Sequence, residues 1–265
     1  KKKNLTIRMP EGVPDFVSQS FELIPVTLIV GGTFIILRFV FLNIIGELPP
    51  SILTRFLTPL VGSMDNPWAV LMLNFCICTI FFFGIHSSVF SPITRPIMVA
   101  FIAENIAAMQ AGEPLPHFYT AGTSSAFFGF TGCGISIGCI IACMMSKNKR
   151  YKQIGRVSLF PALFGINEPI LFGAPIILNP IMFIPHVFGG AIIGTFPMFL
   201  MHWGLLNKPI FDPPYVGIFL EGFLTNGDWR TIIVCAIQLI ASVAIYWPFF
   251  KIMERNDEIE AMEKA

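Results

Sequence analysis

Charge is what this chain of 265 residues has least of. Only 12% of its residues are Asp, Glu, Lys or Arg, about half of the quarter that soluble domains carry. That shortage excludes an ordinary soluble enzyme, and a formal net charge of +1 leaves no basic excess for nucleic acid to bind. Phosphate-cradling glycine loops, Walker sequences and dinucleotide fingerprints are missing as well, so no bound nucleotide or other cofactor is expected. The six cysteines, Cys76, Cys78, Cys133, Cys139, Cys143 and Cys235, all lie in apolar stretches. None sits in a polar loop where a reactive thiolate belongs, and they read as small buried hydrophobes. His117, His186 and His202 share no ligand spacing, so no metal site is expected. The amino end, Lys1-Lys-Lys-Asn4 followed by polar, Pro-containing residues, lacks the apolar core of a cleavable signal peptide.

What the chain has instead is grease. Hydrophobic residues make up 54% of it, 28 of them Phe, with 22 Gly and 21 Pro, a composition that suits closely packed and broken helices in a bilayer. The expected fold is an all-α polytopic membrane protein of about six transmembrane helices with at least one re-entrant hairpin. Runs near 21–45, 68–85, 93–111 and 122–145 are long enough to cross a hydrocarbon core of about 30 Å, and two more crossings fall within 187–250. Ser51–Val61 reads as an amphipathic segment lying on the membrane. Residues 1–20 form a polar cytoplasmic or interfacial lead-in, 21–250 the membrane-embedded domain, and 251–265 a charged cytoplasmic tail. Lys147 to Arg156 holds five basic residues in ten and no acid, which places that loop, and with it both ends of the chain, on the cytoplasmic side.

One stretch organises the rest. Pro161 to Pro185 is as apolar as a membrane span but carries Pro161, Pro169, Pro175, Pro180 and Pro185, so it cannot be one regular helix. Broken backbone at membrane depth must be buried in protein or line a wet cavity. Near its middle stand Asn167 and Glu168, an amide beside a carboxylate, which suit the donors and acceptors of a sugar's hydroxyls. Glu168 also suits general-base work on one of them. His86 closes an apolar run after Gly84, and Glu104-Asn105 interrupts another; an ionisable residue inside an apolar segment is a functional candidate.

Phe164-Gly-Ile-Asn-Glu-Pro-Ile-Leu-Phe-Gly-Ala-Pro-Ile-Ile-Leu-Asn-Pro180 resembles the signature of the membrane-embedded enzyme IIC subunit of bacterial sugar phosphotransferase systems, of the lactose/cellobiose/diacetylchitobiose family. Phe82-Phe-Gly-Ile-His86, Glu113-Pro-Leu-Pro-His117, Thr131-Gly-Cys-Gly134 and Tyr246-Trp-Pro-Phe-Phe-Lys251 follow in that family's order. The likeness covers essentially the whole chain but resembles only the carboxy-terminal part of such a permease. The family commonly has Asn where Gly165 stands, Gly where Ser87 stands, and Trp where Phe81 stands, with another Trp near Ile210. The resemblance implies a multi-pass bacterial cell-membrane protein, a homodimer, that binds a disaccharide such as cellobiose, diacetylchitobiose or lactose. It would present the sugar's 6-hydroxyl for phosphorylation by a phosphocysteine on a IIB partner. Glu168 and His86 would then be catalytic, and Asn167, Phe81, Glu104 and Asn105 would join them in holding the sugar. A proton- or ion-coupled secondary transporter using Glu168, or a non-catalytic membrane fragment, are the alternatives.

Overall fold

The computed structural model describes residues 15–48, 52, 55 and 65–263, and these are mostly helical, with no strand among them. The chain divides into two compact units, Lys1–Leu57 and Thr58–Ala265. In the first, helix α1 runs from Asp15 to Ile44, so the expected polar lead-in is already helical from Asp15, and Arg55 pairs with Glu47 at 2.8 Å. Apart from Ile52 and Arg55, the proposed amphipathic segment Ser51–Val61 lies outside the described residues.

The second unit opens with α2, Pro67–Phe82. Asn66 caps it by accepting the Trp68 N–H, and Pro67 takes the first position, where its missing N–H costs nothing. A 3-10 turn, Ser87–Phe90, leads into α3, Ser91–Ala111, which stops at Gly112 in the left-handed region. After a short helical turn and a π turn at Ser124–Phe128 come α4, Ile137–Met145, and α5, Lys149–Ala162. Then follow α6, Glu168–Gly173, and α7, Pro180–His202. The last helices are α8, Ile218–Asn226, and α9, Arg230–Glu263. Three of the described helical segments, Ile24–Ile44, Pro180–His202 and Arg230–Asp257, are long and apolar enough to cross a membrane, and Pro67–Phe82 is a shorter apolar helix.

Residues 161–180 are broken as the prolines require. Pro161 ends up in the last turn of α5, Pro169 in the first turn of α6, and Pro180 opens α7. Residues 122–145, in contrast, are not the single span expected from their apolarity. Only Ile137–Met145 is regular helix. Between Gly129 and Ser136 the backbone turns back on itself, with Gly132 and Gly134 both at φ 82° and Ile135 at 47°. Glycine adopts that region freely, whereas a β-branched residue there costs about 1–2 kcal/mol and has to be held.

Helix α9 does the holding. Gln238, Ser242 and Tyr246 recur every fourth residue on one buried face. The Ser242 hydroxyl donates to the Ile135 carbonyl at 2.6 Å and accepts the Gly138 N–H at 2.9 Å, while the Tyr246 hydroxyl donates to the Gly134 carbonyl at 2.9 Å. Gln238 Nε2 donates to the carbonyls of Phe127 (3.0 Å) and Ile193 (2.9 Å). Pro197 has no N–H to offer the Ile193 carbonyl four residues back, and Phe127 lies in the π turn, so Gln238 satisfies two carbonyls that irregular helix leaves open. A Cβ on Gly138 would collide with the Ser242 backbone, which sets how closely α4 and α9 approach. Across the bundle, Asn74 of α2 donates to the Thr195 hydroxyl of α7 at 3.0 Å. The charged segment from Lys251 continues α9. Its inner residues Met253 and Glu254 are buried, and Ser146 and Tyr151 hydrogen-bond Glu254 and Asp257.

Candidate functional site

The turn between α5 and α6 puts Asn167 and Glu168 at the start of a new helix. Gly165 sits at φ 77°, a conformation that Gly and, among other residues, Asn tolerate best. The Ile166 N–H reaches back to the Pro161 carbonyl at 3.1 Å. Asn167 is 2% exposed, and its amide donates both hydrogens, to the Cys133 carbonyl at 2.7 Å and the Ser136 hydroxyl at 2.9 Å. The turn is thereby pinned to the broken 129–136 segment. Gly132 must lack a side chain here, since a Cβ would overlap that of Asn167. What Asn167 has left to offer a ligand is its Oδ1.

His86 comes to this turn from 82 residues away. Helix α2 ends at Phe82, and Gly84 at φ 86° swings the chain so that His86 caps the following 3-10 turn. Its Nδ1 accepts the Ser88 N–H at 3.1 Å. A backbone N–H can only donate, so the Nδ1 lone pair faces it and the ring proton is on Nε2. That Nε2–H points at Glu168 Oε1, 3.4 Å away. The edge of Phe81, itself buried, packs against the imidazole with centroids 5.2 Å apart. The side chains of His86 and Glu168 are 58% and 42% exposed. Both line a cavity of about 1070 Å³, at the upper end of what small-molecule sites occupy.

The same cavity wall includes Phe81 and Asn167 along with residues the sequence did not single out: Arg95, Asp212, Tyr215 and the serines 88, 91, 124 and 125. Asp212 is tied down, its Oδ1 accepting the Gly122 N–H at 2.6 Å. Its sequence signal, an acid in the Phe211-Asp-Pro-Pro214 loop, was present but mute about where the loop folds. Glu104 and Asn105 lie elsewhere. Asn105 is fully buried and bonds the backbone of His117 and the Pro209 carbonyl, while Glu104 Oε2 and Asp65 Oδ2 each lie 2.6 Å from one ring nitrogen of His117. Stacked on Phe101 at 3.9 Å, His117 is the hub of a second polar cluster, away from the cavity lining. Among the described residues no group of His, Cys, Asp and Glu is arranged to hold a metal ion.

A helical membrane domain with a polar cavity built on a broken Asn-Glu-Pro turn defines a transporter-like class, and known proteins show which one. The family model described as Phosphotransferase system, EIIC matches residues 1–190, and the chain belongs to that family. It is 31% identical over 264 residues to the galactose-specific EIIC component of Lactococcus lactis subsp. cremoris (strain MG1363), covering 95% of this chain and 57% of that protein. To the lactose-specific EIICB component of Staphylococcus aureus it is 34% identical over 278 residues, covering 100% of this chain and 47% of the relative. The chain thus spans about half the length of the curated relatives it matches. Among solved structures, the crystal structure of the transporter ChbC, the IIC component of an N,N′-diacetylchitobiose-specific phosphotransferase system, superposes with a TM-score of 0.69 at 26% identity, over 98% of this chain and 62% of that one.

Proposed function

We propose that the chain is the sugar-holding part of a phosphotransferase-system permease, in which Glu168 and His86 receive the hydroxyl that becomes phosphorylated. The observation that carries this reading is their convergence, 3.4 Å apart, on the wall of one large cavity. The relatives named above for galactose, lactose and N,N′-diacetylchitobiose support a sugar of that kind, galactose or a β-linked disaccharide, as the substrate, presented through its 6-hydroxyl. The Staphylococcus aureus relative's designation as an EIICB component supports a IIB partner as phosphoryl donor, through a phosphocysteine. That no cysteine of these residues lies in a polar loop fits a donor thiol on a separate IIB protein or domain.

In the step itself the sugar hydroxyl oxygen attacks phosphorus and forms the new P–O bond. The P–S bond to the IIB cysteine breaks, and the thiolate leaves with its electron pair. The hydroxyl proton passes to the Glu168 carboxylate. His86, with its proton on Nε2, donates toward the Glu168 carboxylate and so orients it, and at 3.4 Å that bond is weak enough for the carboxylate to take a hydroxyl bound beside the pair. Asn167 holds the turn, Phe81 holds the imidazole, and Glu104 and Asn105 brace the bundle around His117. The permease sits in the bacterial cell membrane as a homodimer, with Lys147–Arg156 on the cytoplasmic side. Sugar-phosphate formation by vesicles carrying the full-length permease, with and without phosphorylated IIB, tests the reading. Uptake that needs no IIB and collapses with an uncoupler would replace it with a proton-coupled transporter.

A further inference from the structure

Among the described residues Arg95 is the one Lys or Arg side chain on the cavity wall, and it forms no ion pair with any of them. The described arginines that do pair, Arg55 and Arg230, reach Glu47 and Asp228, and neither lines the cavity. A guanidinium exposed on the cavity wall, as Arg95 is, is free to take an anion unless a neighbouring carboxylate answers it. The two carboxylates on the same wall do not. Asp212 is engaged with the Gly122 N–H, and Glu168 faces His86. Ser88, Ser91 and Arg95 recur at three- and four-residue spacing, the repeat of one helical face, and all three line the cavity beside His86. Ser88 Oγ lies 2.9 Å from His86 Nδ1 and donates there, so the face offers the Ser91 hydroxyl and a five-donor fork, chemistry suited to the terminal oxygens of a phosphate monoester.

We infer that Arg95, with Ser91, binds the phosphoryl group once it reaches the sugar, making this face the phosphate subsite of the cavity. The inference rests on the permease reading and adds the group that offsets the phosphoryl charge beside Glu168. An arriving phosphoryl group brings negative charge next to a carboxylate, and the repulsion has to be met by a cation placed on the same cavity. Arg95 acts on phosphate oxygens and Glu168 on the hydroxyl proton, so the two separate experimentally.

The test is equilibrium binding to the full chain in detergent, using lactose, galactose and N,N′-diacetylchitobiose, each with its 6-phosphate, and inorganic phosphate as the bare anion. Arg95→Gln should weaken the 6-phosphate of whichever sugar the parent binds by about 10- to 100-fold, the worth of a charge-assisted contact, and move the free sugar by less than about twofold. Retained free-sugar binding also shows that the variant folds. Arg95→Lys should recover part of the loss, as a point charge without the fork. Equal loss of sugar and sugar phosphate, or no loss of either, overturns the assignment, and so does inorganic phosphate binding as tightly as the sugar phosphate. A parent chain that binds none of the three sugars overturns the permease reading itself, a different and distinguishable failure.

Discussion

Glu168→Gln separates holding a hydroxyl from activating it. The substitution keeps the side-chain volume and an acceptor oxygen where Oε1 now lies, 3.4 Å from His86 Nε2, so the turn pinned by Asn167 stays in place. It removes the charge and the basicity. A charge-assisted bond is about twice as strong as a neutral one, and for a carboxylate 42% exposed to a wet cavity the difference in holding a neutral sugar is about 1 kcal/mol, or roughly fivefold in affinity. Loss of the general base costs about 10²–10⁴ in rate, equivalent to about 2.7–5.4 kcal/mol of transition-state stabilisation. The two numbers are far enough apart to be told apart. Initial rates of sugar-phosphate formation with saturating phosphorylated IIB should fall at least about 100-fold, while equilibrium binding of the same sugar changes about fivefold or less. Formation at the parental rate refutes the assignment of Glu168 as base. Rate and binding falling together would instead make it a sugar-holding group.

Gln238→Leu fills the same space but leaves the Phe127 and Ile193 carbonyls without the donor that reaches both. At about 1–3 kcal/mol for each bare buried group, thermal unfolding in detergent should show a loss of about 2–6 kcal/mol. Gly132→Ala combines a positive φ with a collision against Asn167; about 2–5 kcal/mol of destabilisation and loss of sugar binding are expected, read by the yield of monodisperse protein and by binding. Asp228 caps α9 by accepting the Arg230 N–H at 3.0 Å and takes the guanidinium on the same carboxylate. Those bonds to Arg230 hold its carboxyl below the ordinary range. The stabilisation is therefore complete above about pH 4 and lost as the pH falls further. Asp228→Asn keeps the cap without the charge, so the melting-temperature gap between parent and variant should be constant from pH 8 to 5 and close at lower pH.

Helix and membrane were legible because long apolar runs admit little else, and the break at 161–180 was legible because proline removes a donor whatever surrounds it. The span expected at 122–145 failed for the complementary reason. Apolarity measures what a segment avoids, and nothing in a hydropathy window distinguishes a regular helix from a π turn followed by a folded-back loop. Two signals were there, the Gly132-x-Gly134 pair and the fourfold spacing of Gln238, Ser242 and Tyr246, but each is meaningful only against the other, about a hundred positions away. The meeting of His86 and Glu168 came from family resemblance and not from pattern, since no local rule joins residues 82 apart. Glu104-Asn105 shows the limit from the other side. A polar pair in an apolar run announces that it has a partner, and here the nearest partner is His117.

The clamp between α9 and residues 129–138 also fixes an order in time. Gly134 leaves the ribosome 112 residues before Tyr246, whose hydroxyl its carbonyl accepts, an interval of about 6–22 s at ordinary elongation rates. Throughout it the folded-back loop has carbonyls and an N–H with no α9 to answer them, and hydrocarbon does not tolerate such groups. The loop must therefore wait in water or within the insertion machinery. The cavity, whose Asn167 is bonded to that loop, closes only after the last helix has been made.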